Sequence, residues 1–310
     1  MSVRVLSTSP LVGPGLHALG ADFPELLITP FRSPEWNAAL PIAEGLVVLL
    51  SEPITETDLA AAPNLKVIGT YSAGVNHLPL ASCKARGIAV LNTPGVLTES
   101  TADIALALLL AVTRRIAEGE ALMRSGTWQG WASDQLLGIS LAGKTCGILG
   151  SGPIGKAFAR RVWALGMKPV FWDREGGGGT VDFGPEAVPR LPLANLLKVS
   201  SVLSLHCPLT DATRDLLGHP ALLNLPSGSV IINTARGGIL DEPAMLDLLD
   251  SGHLGGVGLD VYDQEPQINP RWLHAPRTVL LPHLGSASVE TRESMTKMLC
   301  DGIAAVLMPH

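Results

Sequence analysis

The sequence predicts an α/β protein made of two doubly wound parallel-sheet domains with a cleft between them. Three observations carry this. Short apolar runs alternate with segments of helical spacing along most of the chain, the pattern of parallel strands joined by helical crossovers. A length of 310 residues corresponds to about two domains. Hydrophobic residues make up 46% of the chain against 16% charged, which is enough apolar side chain for two cores.

In the first domain, residues 3–7, 46–50, 67–70 and 89–91 read as buried strands, with helices over 56–62 and 78–86 between them. Asn92-Thr93-Pro94-Gly95 breaks that alternation. A long helix is expected over 99–116, with Ser100 and Asp103 as a capping pair. It is apolar nearly all round, as a helix buried on several sides must be, and would serve as a domain connector, a dimer surface, or both. The loop at 126–138 carries Trp128 and Trp131. Exposed, they would mark an interface or a lid; partly buried, they would simply pack. The second domain repeats the alternation, with strands at 146–150, 169–172, 202–206, 229–233, 256–260 and 279–281. Its helices are expected at 154–165, 191–198, 221–224 and 242–250. The four glycines at 176–179 read as a loop.

Residues 146–173, CGILGSGPIGKAFARRVWALGMKPVFWD, are the most informative stretch. An apolar strand is followed by Gly150, Gly152 and Gly155 in the pattern G-x-G-x-x-G. Ala157, Phe158, Arg161, Val162 and Leu165 then fall at helical spacing. A second apolar run ends in Asp173, at about the twenty-residue distance that a dinucleotide site requires. Each residue type has a reason. Gly150 turns the chain sharply off the strand, Gly152 lets backbone approach a pyrophosphate, and Gly155 lets helix and sheet pack closely. The helix N-terminus supplies N–H groups and the positive end of its dipole to the phosphates. Asp173 would accept the adenosine ribose hydroxyls and repel a 2′-phosphate. NAD(H) is therefore favoured, with NADP(H) possible because Arg174 follows directly. Three glycines and an acid in register weigh against an ordinary glycine-rich turn.

Composition limits the partners. The net charge of −6, with no basic block, argues against a nucleic-acid partner. The apolar run at 104–112 is too short to span a bilayer, and MSVRVLSTSP lacks the apolar segment of a signal peptide. Cysteines 83, 146, 207 and 300 are scattered without C-x-x-C, as expected of buried thiols in a cytoplasmic protein with no zinc site or other metal centre.

In a doubly wound sheet, ligands sit beyond the carboxyl ends of the strands. Three sequence features fall there. Arg236, followed by two glycines, would bind a carboxylate through paired hydrogen bonds, or else tie off a helix terminus. Asp260-Val261-Tyr262-Asp263-Gln264-Glu265 brings three acids together, which for any single acid is as well explained by a solvated turn. His283 follows the last strand, where Glu265 would orient its ring as a proton donor.

These stretches closely resemble the D-isomer-specific 2-hydroxyacid dehydrogenases that use nicotinamide cofactors. The resemblance covers nearly the whole chain and rests on NTPGVLTESTADIALALLLAVTRR, LAGKTCGILGSGPIGKAFARR, HCPLTDATRDLLG, INTARGGILDEPAMLDLLDSGHLGGVGLDVYDQEP and PHLGSAS. NTPGVLT and GTWQGW bring it nearest to the glyoxylate and hydroxypyruvate reductases.

The resemblance implies that residues 1–95 and 284–310 form a flavodoxin-like substrate domain, completed by a C-terminal helix at about 289–306, and that 96–283 form a Rossmann domain for NAD. It implies a homodimer built through the cofactor domains. Arg236, Glu265 and His283 match the family's substrate arginine, supporting acid and catalytic histidine. Within YSAGVNH, backbone N–H groups of Ser72, Ala73, Gly74 and Val75 match those that hold the substrate carboxylate. Pro153, Ile154, Asp173, Cys207, Thr234, Ala235, Asp260 and Gly285, with the three glycines, match positions that contact the cofactor. Asn76-His77 departs from the family's usual Asp-Asn, which bears on the substrate side chain. Ala73 replaces the lysine of phosphite-oxidising relatives, and the Glu–His pair is foreign to formate dehydrogenases. The implied activity is reduction of a small 2-oxoacid such as glyoxylate or hydroxypyruvate. Two other readings share these motifs: an enzyme like phosphoglycerate dehydrogenase, and an NAD-sensing interaction protein like the related corepressors.

Overall fold

The structure, a computed structural model, describes residues 4–13, 26–174 and 178–308. Val3 of the first expected strand and the loop glycines 176 and 177 lie outside the described residues. The chain divides into two compact units, Met1–Leu97 with Ser286–His310, and Thr98–Gly285. The crossings fall at 97/98 and 285/286, slightly beyond the expected edges at 95/96 and 283/284.

The first unit is a five-stranded, all-parallel sheet of order β2-β1-β3-β4-β5. Its strands are β1 (Val5–Ser7), β2 (Leu26–Ile28), β3 (Gly45–Val48), β4 (Val67–Thr70) and β5 (Ala89–Leu91). This order is flavodoxin-like. β1, β3 and β4 are buried along their whole length, which is why they read as unbroken apolar runs. β2 had no such signal: it is a three-residue edge strand, and Ile28 is exposed.

Three short helices follow. Helix α1 (Pro34–Ala39) starts at Ser33, whose hydroxyl accepts from Trp36 N, with Pro34 in the first turn. Helix α2 (Glu56–Ala61) starts on a Thr55/Asp58 capping box, and α3 is Leu80–Ala85. Trp36, Leu6, Leu46, Leu59, Ile68 and Cys83 form the core on one face. The C-terminal helix, Val289–Leu307, covers the other with buried Met295, Leu299 and Ile303.

The second unit is a six-stranded parallel sheet with two antiparallel strands beside it. It opens with α4 (Thr98–Thr113) and α5 (Ile116–Arg124). The expected helix over 99–116 is α4, which ends earlier, at Thr113, and a second, unanticipated helix follows. Arg115 takes a left-handed conformation at φ 54°, and the Thr113 carbonyl turns out of the helix to accept from Ile139 N at 2.9 Å. Ser100 lies inside the first turn of α4, and Asp103 is taken by an ion pair with Arg161. As its composition requires, α4 buries Ala102, Ala105, Leu108, Leu109 and Val112.

The chain continues through β6 (Thr145–Leu149), α6 (Pro153–Ala164) and β7 (Lys168–Trp172). A hairpin, β8 (Thr180–Asp182) with β9 (Ala187–Pro189), was not anticipated. Then come α7 (Leu193–Val199), β10 (Val202–Leu205), α8 (His219–Leu222), β11 (Ser229–Asn233), α9 (Glu242–Asp250), β12 (Leu254–Leu259) and β13 (Thr278–Leu280). Sheet order is β13-β12-β11-β10-β6-β7, so the winding reverses at β6. One core packs α4 and α6 on the sheet, and the other packs α7, α8 and α9 on its opposite face. Among the described residues, no helix is long and apolar enough to cross a membrane.

One histidine is part of this packing. His206, just past β10, is half-buried and packs against Phe158, with ring centroids 5.0 Å apart. Its Nε2 is 2.9 Å from Ser204 Oγ, while Nδ1 has no partner among the described residues. Burial lowers its pKa from 6.5 to about 3. The folded state thus favours the neutral ring, a contribution complete above pH 6.5 and lost as pH falls toward 3. At roughly 1.4 kcal/mol per pH unit, this amounts to about 2 kcal/mol between pH 6.5 and 5. Urea unfolding at those two pH values should therefore show a steeper loss for the wild type than for His206→Gln, and parallel losses would contradict it.

Candidate active site

The switch point of the second sheet lies at the end of β6. Gly150 turns there at φ 107°, and a Cβ on it would meet the His206 carbonyl oxygen at 2.7 Å. A Cβ on Gly155 would lie 2.0 Å from the Gly150 oxygen, so only glycine permits this approach of helix to strand. Gly152 differs: nothing lies within 4 Å of its Cβ position. It is the extended N-cap of α6, whose first turn contains Pro153 and Ile154 and has no side-chain cap. The helix therefore presents amide groups to open space, as a phosphate requires.

Asp173, just past β7, accepts from Ser151 Oγ at 2.8 Å and stands 3.0 Å from Arg190 Nε. Past β11, the Thr234 hydroxyl is buried with no partner among the described residues, while the Ala235 amide is satisfied by Asn233 Oδ1 at 2.9 Å. Cys207 is buried, which pushes its thiol up to about 11 and keeps it protonated. An open glycine, an uncapped helix start and an orphaned buried hydroxyl along one edge of the sheet fit a bound dinucleotide.

Past β12, the chemistry changes. Asp260 is buried, and burial raises its carboxyl above the usual range despite two strong donors. Its Oδ1 accepts from Leu284 N at 2.6 Å and its Oδ2 from Gly285 N at 2.8 Å. The Gly285 carbonyl accepts from Thr101 Oγ1 at 3.0 Å, so this glycine is pinned from both sides. His283, held just before that clamp, has φ 56°, a left-handed conformation rare for a residue with a side chain.

The His283 ring meets Glu265, with Nδ1 2.7 Å from Oε2. The other Glu265 oxygen accepts from Tyr262 N at 2.9 Å. Burial alone would raise the Glu265 carboxyl, but the His283 hydrogen bond and charge, the Tyr262 amide and the Arg236 charge outweigh it and hold it below its ordinary value. Tyr262 is fixed in turn by its hydroxyl, which donates to the Leu281 carbonyl at 3.0 Å. Burial and the surrounding carboxylates push that phenol up to about 12.

Arg236 sits in an extended conformation past β11, with Nη1 donating to the Ala235 carbonyl at 2.6 Å. Its own carbonyl accepts from Asn233 Nδ2 at 2.9 Å. Burial lowers its guanidinium pKa, and the nearby Glu265 charge works the other way. The structure thus brings His283 onto Glu265, with Arg236 close enough for its charge to be felt. Of the three acids in that turn, Asp260 holds backbone, Glu265 holds the histidine, and Asp263 is exposed.

Ser72, Ala73, Gly74 and Val75 belong to the first unit, just past β4. The Ser72 hydroxyl donates to the Gly74 carbonyl at 2.6 Å, and Asn92 Nδ2 donates to the Ala73 carbonyl at 2.7 Å. Among the described residues, no acceptor is paired with the Ala73, Gly74 or Val75 N–H. His77 Nε2 is 2.8 Å from Thr70 Oγ1, which is itself 2.9 Å from Ser72 Oγ. Trp128 and Trp131 are exposed, Trp131 at 84%.

Sequence reasoning missed Ser151, Arg190 and the Thr101 anchor on Gly285. Ser151 lies inside the glycine motif and had a signal; Arg190 and Thr101 arrive from distant segments and had none.

An open phosphate cradle at the switch point, with an imidazole–carboxylate pair and a guanidinium on the neighbouring strand ends, defines a nicotinamide-dependent oxidoreductase of the doubly wound α/β class. Comparison with known proteins carries this further. Residues 106–285 match the family model for the D-isomer specific 2-hydroxyacid dehydrogenase, NAD binding domain. A glyoxylate reductase of Thermococcus litoralis is 40% identical, over 84% of this chain and 80% of that protein. A glycerate dehydrogenase of Hyphomicrobium methylovorum is 38% identical, over 85% and 82% of the two chains. A crystal structure of a Thermus thermophilus protein superposes with a TM-score of 0.91 at 41% identity, covering 98% of this chain and 97% of the other. The chain belongs to the D-isomer specific 2-hydroxyacid dehydrogenase family, oxidoreductases that act on CH–OH groups with NAD.

The clamp on the histidine loop gives a direct expectation. Asp260→Ala leaves two amides without their acceptor, at about 1–3 kcal/mol for each buried unpaired group. Chemical denaturation should register a loss in that range or above, with Asp260→Asn, which keeps one acceptor, losing less. Equal stability of Asp260→Ala and wild type would rule out the clamp.

Proposed function

We propose that the protein reduces small 2-oxoacids to 2-hydroxyacids, with glyoxylate and hydroxypyruvate as the substrates of choice. The observation that carries this reading is the 2.7 Å contact between His283 Nδ1 and Glu265 Oε2 in reach of the Arg236 charge. Arg236 binds the substrate carboxylate and steadies the negative charge that grows on the keto oxygen. His283 donates the proton to that oxygen from Nε2, since Nδ1 is committed to Glu265. Glu265 keeps the imidazole oriented through that contact. A bound nicotinamide supplies the hydride. The unpaired N–H groups of Ala73, Gly74 and Val75 suit an anion, which supports the first unit as the substrate domain and 96–283 as the cofactor domain. Names of relatives, a glyoxylate reductase and a glycerate dehydrogenase, support the substrate choice.

The working form is a homodimer in the cytoplasm. Ile116, Met123, Trp128, Trp131 and Leu137 give the second unit an exposed apolar surface of the kind that protein interfaces cover. All four cysteines are free and buried, as suits a reducing compartment. Sedimentation of the wild type should give the dimer mass, and Trp131→Glu with Leu137→Glu should shift it to the monomer. A monomeric wild type would sink this assignment.

NADH oxidation in the presence of glyoxylate, hydroxypyruvate and longer 2-oxoacids tests the activity, and no turnover with any of them would refute it. In a working enzyme, His283→Ala should lower kcat by about 10²–10⁴ with NADH affinity unchanged. Glu265→Gln keeps a hydrogen-bonding side chain but removes the carboxylate that orients the ring, so kcat should fall while NADH affinity is unchanged. A kcat equal to the wild type would remove Glu265 from this role.

A further inference from the structure

The β8–β9 hairpin takes no part in the acid–base site, yet the chain leaves it beside the adenosine end of the nucleotide cradle. Arg190 is fixed there by its backbone. Its N–H donates to the Gly179 carbonyl at 3.0 Å, and its carbonyl accepts from Gly178 N at 3.1 Å. It forms a parallel bridge with Phe171 of β7, and Leu191 N donates to the Phe171 carbonyl at 2.8 Å. With the main chain anchored along β7, the side chain reaches the acid that follows this strand. Arg190 Nε lies 3.0 Å from Asp173 Oδ2, the same oxygen that accepts from Ser151 at 2.8 Å. Both side chains are largely sheltered, with 22% and 17% of their surface exposed.

An acid at the end of the second strand ordinarily selects NAD, because it accepts from the ribose 2′-hydroxyl and repels a 2′-phosphate. Here a guanidinium stands within ion-pair distance of that carboxylate and offsets its charge. A guanidinium is also the side chain best shaped to hold a phosphate through paired N–H groups. Arg174, exposed, follows Asp173 directly and adds a second cation to this end of the site.

Resting on the reading of residues 150–173 as the dinucleotide cradle, we propose that Arg190 is a selectivity residue: it offsets Asp173 and offers a cation to the 2′-phosphate, so that the protein accepts NADPH alongside NADH. The competing account is that Arg190 only fastens the hairpin to β7, in which case its removal would affect both nucleotides alike.

Direct binding separates the two. NADH and NADPH are titrated against the wild type, Arg190→Ala, Arg190→Lys and Asp173→Ala by calorimetry, with the melting temperature of each variant recorded. Arg190→Ala should weaken NADPH by about tenfold or more, and NADH by less than about threefold. Arg190→Lys should retain most of the NADPH affinity, and Asp173→Ala should turn the preference toward NADPH. An unchanged NADPH/NADH ratio in Arg190→Ala, or an equal loss of both with a lowered melting temperature, overturns the proposal. A wild type that binds neither nucleotide overturns the cradle reading itself, and a wild type that binds NADH but no NADPH overturns only the role of Arg190.

Discussion

The active site depends on one buried carboxylate that does no chemistry. Asp260 follows β12 and takes the amides of Leu284 and Gly285 onto its two oxygens, at 2.6 and 2.8 Å. Those amides belong to the loop past β13, the neighbouring strand, so the contact ties two adjacent strand ends together. It also fixes the residue immediately before, His283, at φ 56°, where a side chain is disfavoured. The unfavourable backbone persists because the surroundings over-determine it. Burial raises the Asp260 carboxyl, so the energy of ionising it away from water is offset chiefly by these two amides. From that anchored backbone the imidazole meets Glu265.

The parallel sheet explains why residues so far apart in sequence come together. Every strand of a parallel sheet ends on the same edge, and each crossover delivers its next side chains there. Thr234 and Arg236 follow β11, Asp260 and Glu265 follow β12, and His283 follows β13. The cradle follows β6 and Asp173 follows β7, on the far side of the reversal. The buried strands hold the frame, and the strand-end loops are free to carry polar groups whose placement the frame fixes.

The frame was legible because its signal is local. Fully buried strands read as short apolar runs, and the glycines of the cradle each meet a steric demand visible in a ten-residue window. The Glu265–His283 contact was legible only as two strand ends with complementary chemistry. What escaped had weaker or more distant causes. β2 is three residues at an edge, with no apolar alternation to reveal it. The break between α4 and α5 turns on a left-handed Arg115 and on Ile139, more than twenty positions away, capturing the Thr113 carbonyl. Asp103 had the right spacing for a cap, but an arginine on a neighbouring helix competes for it. Arg190 is invisible because a cation at a hairpin exit looks like any surface charge until the hairpin is laid beside β7.

The electrostatics of Arg236 give the site its direction. Burial works against the guanidinium, and among the described residues the one carboxylate whose charge is felt there is Glu265. That carboxylate is already engaged by His283 and Tyr262, so it neutralises the arginine only at a distance. A partly buried cation in this position is stabilised further by an anion that brings its own charge, and in the proposed reaction a 2-oxoacid would do so twice: through its carboxylate on binding, and through its keto oxygen as reduction proceeds. The second charge is greater in the transition state than in the bound substrate, and an interaction that strengthens on the way to the transition state is one that raises kcat. If Glu265 approached Arg236 more closely, it would satisfy the arginine before substrate arrived and weaken this effect. The acid is instead held by the histidine on one oxygen and a backbone amide on the other, an arrangement that suits the proposed use of the guanidinium for the ligand.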